Sequence, residues 1–175
     1  MTTVVGRTAF VQSYRSGRGT LEQRFLFEGV DADAIADVLL TAPLVGEGSV
    51  FGTRPGEEGI RTDRSRNLRG FSPAPGFRFD VDLTQRDEGF VVRFSQPDRK
   101  VPYLQGDLLW SIDDQAEGAV LDEQINTERA LGVVSEPLGG PGQSVRRWLF
   151  FRLGHKQVML GAARNIAALL DRRSV

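Results

Sequence analysis

The pattern of apolar and polar positions divides the chain into a long region with a repeat of two and a C-terminal region with a helical repeat. Between residues 20 and 128, short runs of alternating apolar and polar residues are separated by Gly, Pro and acidic residues. This alternation is typical of strands that bury one face. From Ser144 to about Arg173 the apolar residues recur every three or four positions, which is typical of an amphipathic helix. The pattern therefore predicts an α+β fold.

The predicted C-terminal helix is the longest element of the chain. Its apolar stripe consists of Trp148, Phe151, His155, Met159, Ala162, Ile166 and Leu169. Ser144 is suited to cap the first turn, and Arg172 and Arg173 suit the negative pole of the helix dipole. Such a helix measures about 40 Å, whereas a domain of this size has a radius of gyration of about 16 Å. We therefore expect the helix to cross the whole domain.

A strand and a short helix are predicted at residues 20–42. The run from Thr20 to Gly29 places Phe25 and Phe27 on one face of a strand. Asp31 or Asp33 then predicts the N-cap of a helix. Its apolar stripe is Ile35, Val38 and Leu39.

The middle of the chain predicts six further strands joined mainly by short turns. They cover residues 50–54, 59–68, 77–84, 90–94, 104–113 and 119–128. Acidic-Gly turns at residues 87–89 and 116–118 indicate hairpins, and the alternation indicates an antiparallel meander with one apolar face. We predict a curved antiparallel sheet of about seven strands wrapped around the long C-terminal helix.

The first 18 residues are compatible with either an extra edge strand or a loosely held arm. No linker or internal repeat divides the rest of the chain. The predicted organisation is an N-terminal extension over residues 1–18 and a single domain over residues 19–175.

The composition narrows the possible functions. The chain is 40% hydrophobic and 26% charged, which argues against global disorder, and its net charge of -1 gives no general attraction to nucleic acid. The absence of cysteine and the single histidine exclude thiol catalysis and Cys- or His-rich metal sites within one chain. We expect no cofactor and no metal. The sequence shows neither the pattern of a signal peptide nor a membrane-spanning run, so we expect a cytoplasmic protein without integral membrane association. The sequence does not predict an oligomeric state.

The order of elements resembles the START-like helix-grip superfamily (SRPBCC), which includes polyketide cyclases and pollen-allergen-like lipid binders. Three blocks carry the resemblance: residues 25–39 as first strand and helix, residues 106–121 as a central hairpin, and residues 158–170 as the gripping helix. The resemblance implies a cavity between the concave sheet and the helix. In that superfamily the cavity holds a hydrophobic or amphipathic small molecule, and in some members it is a site of cyclisation, aromatisation or hydrolysis.

Six large apolar residues are candidates for the cavity wall: Phe79, Phe90, Phe94, Trp110, Trp148 and Met159. Apolar walls with a few polar groups are typical of small-molecule sites. The same residues would equally well fill a close-packed core.

Glu123 and two arginines are the polar candidates. The alternation that directs Leu121 inward also directs Glu123 inward, where a carboxylate needs a partner or a proton. The alternative is a position at the cavity mouth that solvent reaches. Arg64 and Arg66 share the phase of Leu68 and are predicted to bind Glu123 or an anionic ligand group, unless they belong to a solvated edge strand.

His155 lies on or beside the buried stripe of the predicted helix. Its ordinary pKa lies near neutrality, so it is suited to act as a general base on an acidic carbon. Alternatively, it is simply a packed residue of the helix.

Three functions follow from these features. The first is a protein that binds or carries a hydrophobic or amphipathic small molecule without a cofactor. The second is a polyketide cyclase-type enzyme in which His155 and Glu123 act in the same cavity, with Arg64 assisting. The third is a protein interaction module without a ligand.

Overall fold

A computed structural model of the protein describes residues 2–5, 8–16, 20–74, 77–96, 106–126 and 154–173. The strands described are β1 (Thr2–Val5), β2 (Thr8–Ser16), β3 (Thr20–Glu28), β4 (Glu57–Arg61), β5 (Ser65–Ala74), β6 (Phe77–Arg86), β7 (Gly89–Ser95), β8 (Gly106–Gln115) and β9 (Gly118–Asn126). Helix α1 (Ala32–Thr41) follows β3, and helix α2 (Lys156–Arg173) follows β9.

All nine strands form one antiparallel sheet in the order β1-β2-β3-β9-β8-β7-β6-β5-β4. The prediction of an α+β fold with a curved antiparallel sheet and a C-terminal helix is confirmed. The sheet has two more strands than the seven derived from the alternation, because β1 pairs with β2 and β2 pairs with β3. The β3–β9 pairing joins the N-terminal strands to the meander that follows α1.

The first helix forms where it was predicted. Asp31, and not Asp33, is the N-cap, and its Oδ1 accepts a hydrogen bond of 2.7 Å from the Ala34 N–H. The predicted stripe of Ile35, Val38 and Leu39 is fully buried. A hydrogen bond of 2.7 Å from the Ala32 N–H to Asp114 Oδ1 also attaches the start of α1 to β8.

In the middle of the chain one strand prediction is wrong and a second is only partly right. Residues 50–54 form a loop in which the Val50 N–H donates to the Pro43 carbonyl at 2.9 Å. The predicted strand 59–68 is interrupted by a turn, because the Ser65 N–H donates to the Thr62 hydroxyl at 3.0 Å and the Thr62 N–H donates to the Ser65 carbonyl at 2.8 Å. The alternation therefore starts again at Ser65.

The two acidic-Gly turns join β6 to β7 and β8 to β9, as predicted. Both glycines have positive φ angles, 133° at Gly89 and 151° at Gly118. A Cβ atom at Gly89 would lie 2.0 Å from the Trp110 carbonyl oxygen, and one at Gly118 would lie 2.0 Å from the Phe27 carbonyl oxygen. Glycine is required at both positions because a neighbouring strand approaches too closely for a side chain.

Helix α2 buries one face against the sheet, in the core that also contains α1. Its buried residues are Val158, Met159, Ala162, Ala163, Ile166, Ala167, Leu169 and Leu170. Gly154 and His155 form a wider, π-type turn directly before it. The first part of the predicted helix, with Ser144, Trp148 and Phe151, lies outside the described residues. Among the described residues, no helix combines the length and hydropathy that crossing a bilayer requires.

Candidate functional site

A cavity of about 70 Å³ lies between the start of α2 and the inner face of the sheet, and it is open on one side. Its wall is formed by Phe51, Phe71, Pro73, Phe79, Val81, Val92, Phe94, Leu108, Trp110, His155, Val158 and Met159. Eleven of these twelve residues have apolar or aromatic side chains, and His155 contributes an imidazole. Among the described residues, the cavity is therefore an apolar site with one strongly polar group in its wall.

The structure brings five of the predicted site residues to this wall: Phe79, Phe94, Trp110, His155 and Met159. The Phe79 and Phe94 rings meet edge to face, with centroids 6.0 Å apart and an interplanar angle of 84°. Phe90 is fully buried but does not line the cavity. Trp148 lies outside the described residues.

Glu123 forms the polar centre of the site. Its side chain is fully buried, so the prediction that it points inward is confirmed and the solvent-wetted alternative is wrong. The Trp110 indole N–H donates to Glu123 Oε1 at 2.7 Å, and His155 Nε2 lies 2.9 Å from Glu123 Oε2. Glu123 therefore links the strand that carries Trp110 to the turn that carries His155. A carboxylate bound to one imidazole nitrogen fixes the orientation of the ring.

Arg64 and Arg66 do not reach this centre. Arg64 is exposed because it lies in the turn between β4 and β5, outside both strands, where the alternation does not apply. Arg66 is buried, but its guanidinium donates to the Leu39 and Ala42 carbonyls at 2.7 and 2.6 Å, and to Glu58 at 2.9 Å. Burial lowers the pKa of Arg66 and the Glu58 carboxylate opposes this effect. The role of Arg66 is to satisfy carbonyl groups at the end of α1.

Phe51 and Phe71 belong to the cavity wall although the sequence did not single them out. Their ring centroids lie 5.2 Å apart. Phe51 lies in the loop that was predicted as a strand, and Phe71 follows Gly70, whose φ angle is 64°. The register of β5 against β6 shifts beside this glycine. Alternation alone does not place a residue beyond such a shift.

A second buried polar group, Gln23, lies beside Glu123. Gln23 on β3 is paired directly with Glu123 on β9 and is fully buried. Neither its amide oxygen nor its amide nitrogen has a hydrogen-bond partner among the described residues. An unsatisfied buried amide costs about 1–3 kcal/mol. Gln23 was not singled out from the sequence, although its strand phase, which is that of Phe25 and Phe27, was a signal that it faces inward.

Asp122, the neighbour of Glu123, is directed to the other face of β9. Its Oδ2 lies 3.5 Å from Arg24 Nη2, and the Arg24 side chain is 54% exposed. Burial raises the pKa of Asp122, and the charge of Arg24 only partly opposes this. The cost of burying the Asp122 carboxylate is therefore only partly offset by Arg24, and Asp122 lies outside the cavity.

Metal ligands do not converge in the part of the chain that the structure describes. No group of three or more His, Asp or Glu residues is placed there to hold a metal ion.

The comparisons with known proteins show the fold. No family model and no curated protein matches the sequence. The fold is similar to that of protein Ms6760 from Mycobacterium smegmatis, with a TM-score of 0.58 and 14% identity over 93% of this chain and 98% of that chain. CalU16 from Micromonospora echinospora aligns over 94% of this chain and 98% of its own, with a TM-score of 0.35 and 10% identity. The first likeness supports a helix-grip-like fold, and neither alignment concerns the ligand.

Proposed function

We propose that the protein binds a hydrophobic or amphipathic small molecule in the cavity between the sheet and α2. The observation that carries the proposal is the composition of the cavity wall, which is apolar except for His155 in the part of the chain that the structure describes. Sites with this composition bind small molecules by burying apolar surface, and their few polar groups orient the ligand. The resemblance to the helix-grip superfamily supports the same function.

The volume of the cavity limits what it can enclose. About 70 Å³ is well below the 300–1,000 Å³ that is typical of sites for drug-sized ligands. Because the cavity is open on one side, we infer that it takes one end of a ligand, such as a single ring or the end of an alkyl chain. The remainder of the ligand then lies at the opening.

The test is a cavity-filling substitution with a matched control on the same strand. Val92 lines the cavity, whereas the neighbouring Val91 does not and is directed to the other face of β7. In Val92→Phe the added ring occupies the cavity, so we expect affinity for p-xylene to fall at least tenfold. Val91→Phe should bind p-xylene as the wild type does. Thermal unfolding of both variants checks that the fold is retained, since overpacking costs about 1–3 kcal/mol.

Two results would contradict the proposal. One is the absence of p-xylene binding by the wild type together with the absence of any co-purifying small molecule in native mass spectrometry. The other is equal affinity for p-xylene in the two valine variants.

The contact between Glu123 and His155 favours a second candidate, a polyketide cyclase-type enzyme acting in the same cavity. The distance of 2.9 Å allows Glu123 to orient the imidazole. His155 would remove a proton from a carbon between two carbonyl groups, and the resulting enolate would attack another carbonyl of the same molecule. The new C–C bond would leave an alkoxide, which would take back the proton.

A poly-β-keto thioester distinguishes the two candidates. If His155→Ala retains affinity for the thioester and loses its cyclisation, the enzyme function is supported. If the wild type binds the thioester without cyclising it faster than buffer does, the protein is a binding protein.

A further inference from the structure

Arg54 adjoins the cavity wall through the loop of residues 50–56. This loop contributes Phe51 to the wall, and the Phe51 ring lies against Phe71 of β5, with centroids 5.2 Å apart. Arg54 Nη1 donates to the Pro73 carbonyl at 2.5 Å, and Pro73 also lines the cavity. The Arg54 side chain is not itself part of the wall, but its guanidinium is bonded to a residue that is.

The part of the wall beside Arg54 borders the opening of the cavity. Phe51 and Pro73 are half-buried, so both keep some of their surface in solvent. Val92 and Trp110, which also line the cavity, are buried and belong to its inner part. The portion of a ligand that extends from the opening past Pro73 therefore lies next to the Arg54 guanidinium.

Arg54 lacks a counter-charge in the described part of the chain. Of the arginines whose burial the structure describes, only Arg54 and Arg66 are not exposed. Arg66 is paired with Glu58, whereas no described Asp or Glu forms an ion pair with Arg54. Taking a cation partly out of water costs free energy unless an anion or hydrogen-bond acceptors replace the water. One of the five N–H groups of Arg54 is bonded to Pro73, and the other four have no partner among the described residues.

The distribution of charge favours a carboxylate beside Arg54. The buried Glu123 lies on β9, four strand spacings from Pro73 on β5, which is about 19 Å along the sheet. Water at the opening further screens this charge, so Glu123 does not exclude an anion beside Arg54. A single guanidinium matches the single charge of a carboxylate and donates to both of its oxygens. A phosphate group, with a charge of about −1.5 to −2, is typically bound by several arginines.

We propose that Arg54 binds the carboxylate of an amphipathic acid whose apolar end occupies the cavity. This inference rests on the proposed function, because it assigns the ligand class to the same cavity. The apolar end of the ligand is buried against the wall, and the carboxylate stays at the opening, where it accepts from two N–H groups of Arg54. Amines with the same apolar part bind less tightly, because Arg54 repels them.

The test compares two probes that share one ring. p-Toluate and p-xylene differ by a carboxylate in place of a methyl group, and calorimetry gives the ratio of their affinities. In Arg54→Met we expect the preference for p-toluate relative to p-xylene to fall at least about tenfold from its wild-type value, while p-xylene affinity is retained. Arg64→Met is the matched control, because it removes the same charge from an exposed turn between β4 and β5 and should leave the ratio unchanged.

A measurement on the wild type tests the same contact without a substitution. Raising the NaCl concentration from about 0.02 M to about 0.5 M shortens the distance over which charges interact. The preference for p-toluate relative to p-xylene should therefore fall severalfold. This measurement decides the inference if Arg54→Met does not fold, since the substitution also removes the bond to Pro73.

Three results would overturn the inference and leave the proposed function standing, provided that p-xylene binds the wild type. The first is an unchanged ratio in Arg54→Met, or a fall of the same size in Arg64→Met. The second is a wild-type ratio that does not depend on salt. The third is tighter binding of p-tolyl phosphate or p-methylbenzylamine than of p-toluate. If the wild type binds none of the four probes, both the inference and the proposed function fail.

Discussion

Replacing Glu123 by leucine tests whether the interactions that organise the candidate site exist in the folded protein. Glu123 is fully buried and accepts one bond from Trp110, and His155 Nε2 lies beside its second oxygen. Leucine has a similar volume but no acceptor. In Glu123→Leu the Trp110 N–H and the His155 ring nitrogen remain buried without this partner.

The expected loss of stability follows from the two hydrogen bonds that the substitution removes. A buried hydrogen bond to a charged group contributes about 1.5–3 kcal/mol. Removing two of them, with some compensation from leucine packing, predicts that the free energy of unfolding falls by about 3–5 kcal/mol. For a chain of this size the melting temperature should fall by roughly 6–20 °C.

Urea denaturation measures this change, with Gln124→Leu as the matched control. Gln124 is exposed, so its substitution should change the free energy of unfolding by no more than about 0.5 kcal/mol. A double-mutant cycle with His155→Phe should give a coupling energy of about 1–3 kcal/mol between Glu123 and His155. If the free energy of unfolding of Glu123→Leu falls by less than about 1 kcal/mol, or if the coupling energy is near zero, the contacts of Glu123 with Trp110 and His155 are refuted.

Two further predictions concern charged residues outside the cavity. Arg66→Met leaves the Leu39 and Ala42 carbonyls without their donor, so the free energy of unfolding measured by urea denaturation should fall by about 2–4 kcal/mol. Arg64→Met is the control and should have almost no effect on it. Equal effects of the two substitutions would contradict the assignment of Arg66 to α1. For Asp122, burial raises the pKa in the folded state, so the folded protein binds the proton more tightly and loses stability as the pH rises from the unfolded pKa through the folded one. The melting temperature of Asp122→Asn should therefore equal that of the wild type at about pH 3 and exceed it at about pH 7. If the variant instead melts at a lower temperature than the wild type at neutral pH, the ion pair with Arg24 stabilises the fold more than the burial of Asp122 destabilises it.

The sequence predicted which way many side chains point, because the two-residue period depends only on neighbours along one strand. Glu123 was placed inward by Leu121, and the structure confirms it. The same reasoning failed at Arg64, because Arg64 lies in the Thr62–Ser65 turn, where the two-residue period of a strand does not apply. The period also does not identify partners, which come from other strands and helices. The Arg66 bonds to α1 and the contact of Glu123 with His155 therefore required the three-dimensional structure.

The β3–β9 pairing described above has a consequence for the folding of this chain. It brings together Arg24 and Asp122, which are 98 positions apart in sequence. Phe25 and Phe27 find their neighbours Leu121 and Ala119 only after the whole meander has been made. Contacts of such long sequence separation slow folding, because the entropy of closing a long loop is lost before the contacts form. During synthesis on the ribosome these two phenylalanines are made early and stay without their β9 partners, so chaperone binding and aggregation should both depend on this segment.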